Sequence, residues 1–227
     1  MNIKLPFDKD GCKIAGVMAI IAVCLGYLGT NMGWLGFLAT IGCLAFFRDP
    51  ERVHPSNSSV VVSPADGVVL KISSCLPPEE LSLSGEWTKI SAFMSIFNVH
   101  VNRAPVAGVI GRILYIPGRF FNVTLDKASE YNERQAIFMR MADGTEIVFV
   151  QIAGLLARRI RCDVVEGQEL EQGQRVGIIR FGSRVDIYLP KDAKVLVEEG
   201  QVTVAGESIL AKLNGKGTKN EKEHQRK

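Results

Sequence analysis

Two hydrophobic patterns divide this chain. From Ile14 to Phe47 there is no charged residue, whereas beyond Arg52 short β-branched runs alternate with glycine, proline and acidic turns. As one helix the first stretch would be roughly 50 Å long at 1.5 Å per residue, too long for a single ordinary membrane span and barely enough for two. Its glycines and Asn31 mark a break. The pattern predicts a helical hairpin, Ile14–Gly29 and Trp34–Phe47, joined at Thr30-Asn31-Met32-Gly33.

The remainder reads as strand after strand. Val60–Val62, Gly67–Ile72, Thr88–Met94, Gly108–Ile116, Gln135–Ala142 and Thr145–Ile152 are β-prone, as are Arg175–Arg180, Arg184–Leu189, Val195–Val197, Gln201–Val204 and Ser208–Leu213. Asp143-Gly144 predicts a two-residue hairpin turn. No long amphipathic helix separates the strands, which argues against a doubly wound α/β fold. The expected class is mainly β (α+β), a compact sandwich or barrel-like domain behind an N-terminal hydrophobic hairpin. Its expected divisions are an anchor at 1–52, a β-rich domain at 53–213 and a basic tail at 214–227.

Charge refines this picture. Lys4, Lys9 and Lys13 precede the apolar stretch and Arg48 and Arg52 follow it, so the excess of positive charge inside places both flanks, and the β-rich domain, on the cytoplasmic side of the cell membrane. A cleaved signal peptide shares the basic start, but the long second apolar segment argues against it. The tail carries Lys216, Lys219, Lys222, Arg226 and Lys227 against Glu221 and Glu223, a composition suited to disorder and to anionic headgroups. No aromatic residues interleave with these cations, so nucleic acid is not an expected partner. The five cysteines lack C-x-x-C spacing, which indicates neither a metal site nor a disulfide framework.

One dipeptide carries unusual chemistry. Gly182-Ser183 lies in Phe181-Gly182-Ser183-Arg184-Val185-Asp186, between two strand-like segments. A serine hydroxyl beside a glycine carbonyl can attack it and turn the amide into an ester. Elimination of the glycine carboxylate then leaves a dehydroalanine, which hydrates and loses ammonia to become a pyruvoyl group. Alone, the pair is as consistent with an ordinary turn.

Four other motifs stand in order before it: Phe46-Phe47-Arg48-Asp49-Pro50, Ser63-Pro64-Ala65-Asp66-Gly67, Asn98-Val99-His100-Val101-Asn102-Arg103-Ala104-Pro105 and Asn132-Glu133-Arg134. With these the chain resembles, over nearly its whole length, the phosphatidylserine decarboxylase proenzymes of the shorter bacterial and archaeal type. The resemblance implies self-cleavage between Gly182 and Ser183 into a β chain, 1–182, and an α chain, 183–227, that stay together. It implies a covalent pyruvoyl cofactor made from Ser183, which forms a Schiff base with phosphatidylserine, releases carbon dioxide and yields phosphatidylethanolamine. Membrane surface and lipid are the implied partners, and a free sheet edge is compatible with further dimerisation.

Self-cleavage needs a base, and of three histidines His224 lies in the tail and His54 in a proline-bounded linker, which leaves His100. Asp66, at the mouth of a strand, is its expected partner. Larger family members carry H-x-x-H where this chain has His100 and then Arg103, so whether His100 serves cleavage, decarboxylation or both stays open. Arg103, Arg119, Lys127, Arg134 and Arg184 lie in or near the matched motifs and are candidates for the lipid phosphate and carboxylate. Archaetidylserine decarboxylation, a serine hydrolase lacking the G-x-S-x-G elbow, and a non-catalytic anchored β-domain are the alternatives.

Overall fold

A computed structural model describes residues 6–55, 57, 59–121, 123, 131–154, 160–180 and 183–214. The apolar stretch forms two antiparallel-packed helices, α1 (Lys9–Leu28) and α2 (Thr30–Phe46). Asp8 caps α1 by accepting from the Asp10 N–H, so this helix starts five residues before the apolar run. The reversal uses Gly29 alone, and the expected linker Thr30-Asn31-Met32-Gly33 is helical. Close helix contact explains the glycines. A Cβ on Gly33 would sit 2.9 Å from the Gly26 Cα, and one on Gly36 2.7 Å from the Ala22 Cβ. α1 is long and apolar enough to cross a membrane, and the outward residues Ile20, Val23, Leu28, Trp34, Leu35 and Leu38 are exposed.

Fourteen strands follow among the described residues. They are β1 (Val60–Val62), β2 (Gly67–Cys75), β3 (Trp87–Met94), β4 (Val101–Arg103), β5 (Gly108–Ile116), β6 (Arg134–Arg140) and β7 (Glu146–Ala153). Then come β8 (Ile160–Cys162), β9 (Glu169–Leu170), β10 (Arg175–Ile179), β11 (Ser183–Pro190), β12 (Lys194–Val195), β13 (Val202–Thr203) and β14 (Ile209–Lys212). A curled eight-stranded antiparallel sheet has the order β13-β2-β3-β11-β7-β6-β5-β9. Two small sheets, β1-β14-β12 and β4-β10-β8, cover one of its faces.

The period of two sorts the core onto both faces. Val185, Ile187, Leu189, Ile137, Met139, Ile147 and Phe149 join Val61, Leu210, Val176 and Ile179 in the larger cluster. Their strand neighbours Tyr188, Ala136, Phe138, Val148 and Val150 pack on the other side with Leu81 and Val123. Between β6 and β7 the expected two-residue turn is a three-residue one: Met141 N–H donates to Thr145 O and Gly144 N–H to Met141 O. Gly144 sits at φ +80°, the left-handed residue that closes such a loop. β4, β8 and β9 are strands that their short polar or mixed sequences did not signal.

The hairpin is docked by its open end. Phe46 and Phe47 pack with Val99, Val101 and Ile178, and Phe47 lies against Gly11. Asp8 N–H donates to Phe47 O at 2.8 Å, and Arg161 pairs with Asp8, Asp10 and Asp163. Arg180 adds a bond to Asp10 at 2.8 Å. Apolar packing and a charge cluster thus fix the helix bases beside the strand that leads to Ser183.

Candidate active site

Ser183 opens β11, the central strand, between Met94 of β3 and Ala153 of β7. Directly opposed residues share a face, so Ser183 stands on the larger-core side with Met94, Ala153 and Val185. It is fully buried and its Oγ has no hydrogen-bond partner among the described residues. Leaving such a group unpaired costs about 1–3 kcal/mol, so its retention needs a reason outside folding. Gly182 and Phe181 lie outside the described residues.

His100 lies between β3 and β4, also fully buried. Its Nδ1 is 2.9 Å from the Asn98 carbonyl, which can only accept, so Nδ1 carries the proton and Nε2 holds the free lone pair. Nε2 too is buried without a partner. The ring packs on Phe46 with centroids 4.2 Å apart. Burial pushes the imidazole down to about 4; the Asn98 bond opposes this, and the Arg48 charge adds to it. Near pH 7 His100 is a neutral base. Two hydrogen bonds link its surroundings to those of the serine: its carbonyl accepts from Ile179 N–H, at the end of β10, and the side chain of Asn102 donates through Nδ2 to the Sδ of Met94, the strand partner of Ser183.

Asp66 does not hold that imidazole. One carboxylate oxygen accepts from Arg52 at 2.9 Å and the other from the Ala205 N–H at 2.7 Å. The expected Asp66–His100 pair is replaced by two separate arrangements, each with a local partner. The motif around Asp66 still has a spatial reason, because a Cβ on Gly67 would fall 2.0 Å from the Phe93 carbonyl, one residue before Met94.

The cationic candidates are distributed differently from expectation. Arg103 is 3% exposed and bonds Asp49, the Pro50 carbonyl and the Gly173 carbonyl, clamping the linker after α2 onto the domain. Arg184 is held by both Asp186 oxygens, at 2.6 and 3.1 Å, and donates to Ser91 Oγ. As the residue after Ser183 it occupies the opposite face of the sheet. Arg134 shares that face and binds Glu80 and the Asn132 carbonyl. Arg119 is exposed. Lys127 lies outside the described residues.

Among other groups near the serine, Asn132 opens a motif already noted, whereas Gln135 and Gln151 were not singled out from sequence. Asn132 Nδ2 donates to the carbonyls of Ala153 and Phe121, fastening the 117–121 segment beside a strand partner of Ser183. Gln135 donates to Gln151, and Gln151 to Asn102, so a line of buried amides ends at Met94. An amide inside an otherwise apolar strand was the available signal for Gln135 and Gln151. Phe46 stood out only as the start of a motif, Arg52 only as a charge flanking the apolar stretch, and Arg180 only as the end of a β-prone run.

The fold gathers a buried serine hydroxyl and a buried imidazole nitrogen, both unpartnered among the described residues, in a small β-rich domain. The phosphatidylserine decarboxylase family model matches residues 40–211, and the chain belongs to that family. Relatives named phosphatidylserine decarboxylase proenzyme include one from Ruegeria pomeroyi, 51% identical over 92% of this chain and 95% of that protein. One from Paramagnetospirillum magneticum is 50% identical over 92% and 88%. Another from Rickettsia rickettsii is 49% identical over 92% and 91%.

Proposed function

We propose that this protein is a self-cleaving phosphatidylserine decarboxylase whose reactive group is made from Ser183. The observation that carries the reading is a buried hydroxyl, next to Gly182 in sequence, that bonds nothing among the described residues, accompanied by a His100 Nε2 equally unpartnered among them. A residue destined to be consumed suits this position, because no hydrogen bond of the fold depends on its Oγ.

In maturation His100 Nε2 takes the Ser183 hydroxyl proton as Oγ attacks the Gly182 carbonyl carbon. The Ser183 nitrogen leaves as the amine, so the amide has become an ester. Loss of the Ser183 α-proton expels the Gly182 carboxylate from the β-carbon. Water then enters and ammonia departs. A ketone conjugated to the following amide would supply the electron sink that decarboxylation of an amino acid headgroup requires. In turnover His100 Nε2 hands on the proton that returns to the substrate α-carbon. Asp66 with Arg52 fixes the loop at the mouth of β2, and Arg119 and Lys127 are the cations left to meet anionic substrate groups.

The hairpin keeps this site at the membrane surface, where a diacyl lipid resides, with the β-rich domain on the cytoplasmic side and the basic tail toward anionic headgroups. Denaturing electrophoresis of freshly expressed protein should show fragments of roughly 20 and 5 kDa. Mass spectrometry should find a ketone replacing the amine of the smaller one, and labelled phosphatidylserine should release carbon dioxide. An intact chain with full activity would falsify the mechanism.

A further inference from the structure

Asn102 lies on β4, opposite Gly177 of β10 and two residues after His100, and is fully buried. Its amide touches both strands that flank β11. Nδ2 donates to Met94 Sδ of β3 at 3.6 Å, and Oδ1 accepts from Gln151 Nε2 of β7 at 2.8 Å. Met94 pairs with Ser183, and Gln151 with Val185, the next residue on the same face of β11. One amide bonded on both sides therefore bridges β11 over the face that carries the Ser183 hydroxyl, at the Ser183 end of the strand.

The two ends of this amide are unequally served. Gln151 is itself held by Gln135 at 3.3 Å, so a chain of neutral amides fixes the acceptor end. Among the described residues the donor end meets only a thioether, a weak acceptor at a long distance. A buried N–H so poorly matched forfeits most of what an oxygen acceptor would supply. Beside a reacting serine, such a donor is ready for charge that appears only during the reaction.

We propose that Asn102 Nδ2 is the oxyanion donor of self-cleavage, an inference that rests on the self-cleaving reading. As Ser183 Oγ bonds to the Gly182 carbonyl carbon, His100 Nε2 takes the hydroxyl proton and the carbonyl π pair moves onto the Gly182 oxygen. That oxygen then sits on the carbon bonded to Ser183 Oγ, so negative charge develops next to a buried atom that Asn102 overlies. With the Gln151 bond as pivot, the Asn102 N–H passes from sulfur to this oxygen. When the pair returns, the C–N bond breaks and the Ser183 nitrogen takes the proton from His100, leaving the ester. A mismatch in the resting chain becomes a match in the transition state.

Asn102→Asp isolates the donor, because a carboxylate keeps the oxygen that Gln151 needs and loses both N–H groups. On gels of the full-length chain near pH 8, its cleavage should be about 10²–10³-fold slower than wild type, the usual loss for one such donor. The rate should recover about tenfold or more as pH falls to about 5, because the protonated carboxyl again offers a donor. Met94 and Gln151 bear no charge, so burial raises the pKa of the new carboxyl, while His100, pushed down to about 4, stays neutral over this range. A variant that cleaves at the wild-type rate, or equally slowly at every pH, would overturn the proposal. Asn102→Leu, which fills the space without either polar end, should stay slow at every pH, and a rate within about tenfold of wild type would overturn it too. Failure of the wild-type chain to cleave would instead sink the self-cleaving reading, whereas a cleaving wild type beside a fast Asn102→Leu removes Asn102 alone.

Discussion

Ser183 and Arg184 are neighbours on one strand, almost equally buried, and opposite in their bonding. Arg184 reaches Asp186 with two bonds and Ser91 with a third, and both members of the ion pair are about 1% exposed or less. Ser183 Oγ reaches no partner among the described residues. The two faces of β11 thus separate a polar group that holds the sheet together from one that the sheet merely tolerates. A buried charge pair with every bond satisfied is an element of structure. A buried hydroxyl and a buried imidazole nitrogen with none are groups kept for chemistry.

The comparison breaks most completely at Ser183. Ser183→Ala should abolish cleavage, leaving one band of 24.9 kDa and no decarboxylation, while stability stays level or rises by up to about 1–3 kcal/mol, because no bond is lost and an unpaired buried hydroxyl is removed. A destabilised variant would show that the hydroxyl does structural duty after all.

His100→Gln comes next, slowing cleavage by about 10²–10⁴-fold, the usual contribution of a positioned base. The wild-type cleavage rate, followed on gels, should stay level from pH 8 to about 5 and fall only near the depressed value of about 4. The sign for stability is the same. With a folded value below the ordinary 6.5, the unfolded chain binds more protons between these limits. Stability present above pH 6.5 should therefore drop by about 3 kcal/mol as pH approaches 4, and His100→Gln should remove that part of the loss. A cleavage rate that falls by half near pH 6.5 would mean the imidazole is solvated during the reaction.

On the opposite face the expected loss is one of stability. Asp186→Ala should cost about 3–5 kcal/mol by stranding the Arg184 charge, measured by urea unfolding of the uncleaved Ser183→Ala background. Replacing both residues with apolar ones of similar volume should recover most of it. The smallest effect is a coupling. Because Asp66 bonds Arg52 and Ala205 rather than His100, the cleavage penalties of Asp66→Asn and His100→Gln should add to within about 0.5 kcal/mol. A larger interaction term would restore the Asp66–His100 pair that sequence order suggested.

Much of the strand pattern was legible because β-branched runs and turn residues act locally: β1 and β5 match their expected limits, and most longer strands do so within a residue or two. The hairpin was legible for the same reason, though its turn was not. Gly29 alone makes the break, whereas Gly33 and Gly36, which looked like breakers too, serve close helix packing, which depends on what lies across the interface. The short strands β4, β8 and β9 are held by partners distant in sequence, so their own residues gave little notice.

At the site, the ordered motifs and the resemblance they carry singled out Ser183, and elimination among three histidines left His100, whereas the Gly-Ser pair alone read equally well as a turn. Partners were another matter. Arg103 and Arg134 carry the same guanidinium as Arg180, and only the fold assigns the first to a linker, the second to the outer face and the third to the base of the hairpin. Local chemistry and periodicity belong to the sequence by itself: which stretches shun water, which alternate, and which bond can attack itself. Pairing across space, and with it whether a buried polar group is satisfied or left over, belongs to the tertiary structure, because hydrogen bonds and desolvation depend on neighbours that the chain order does not state.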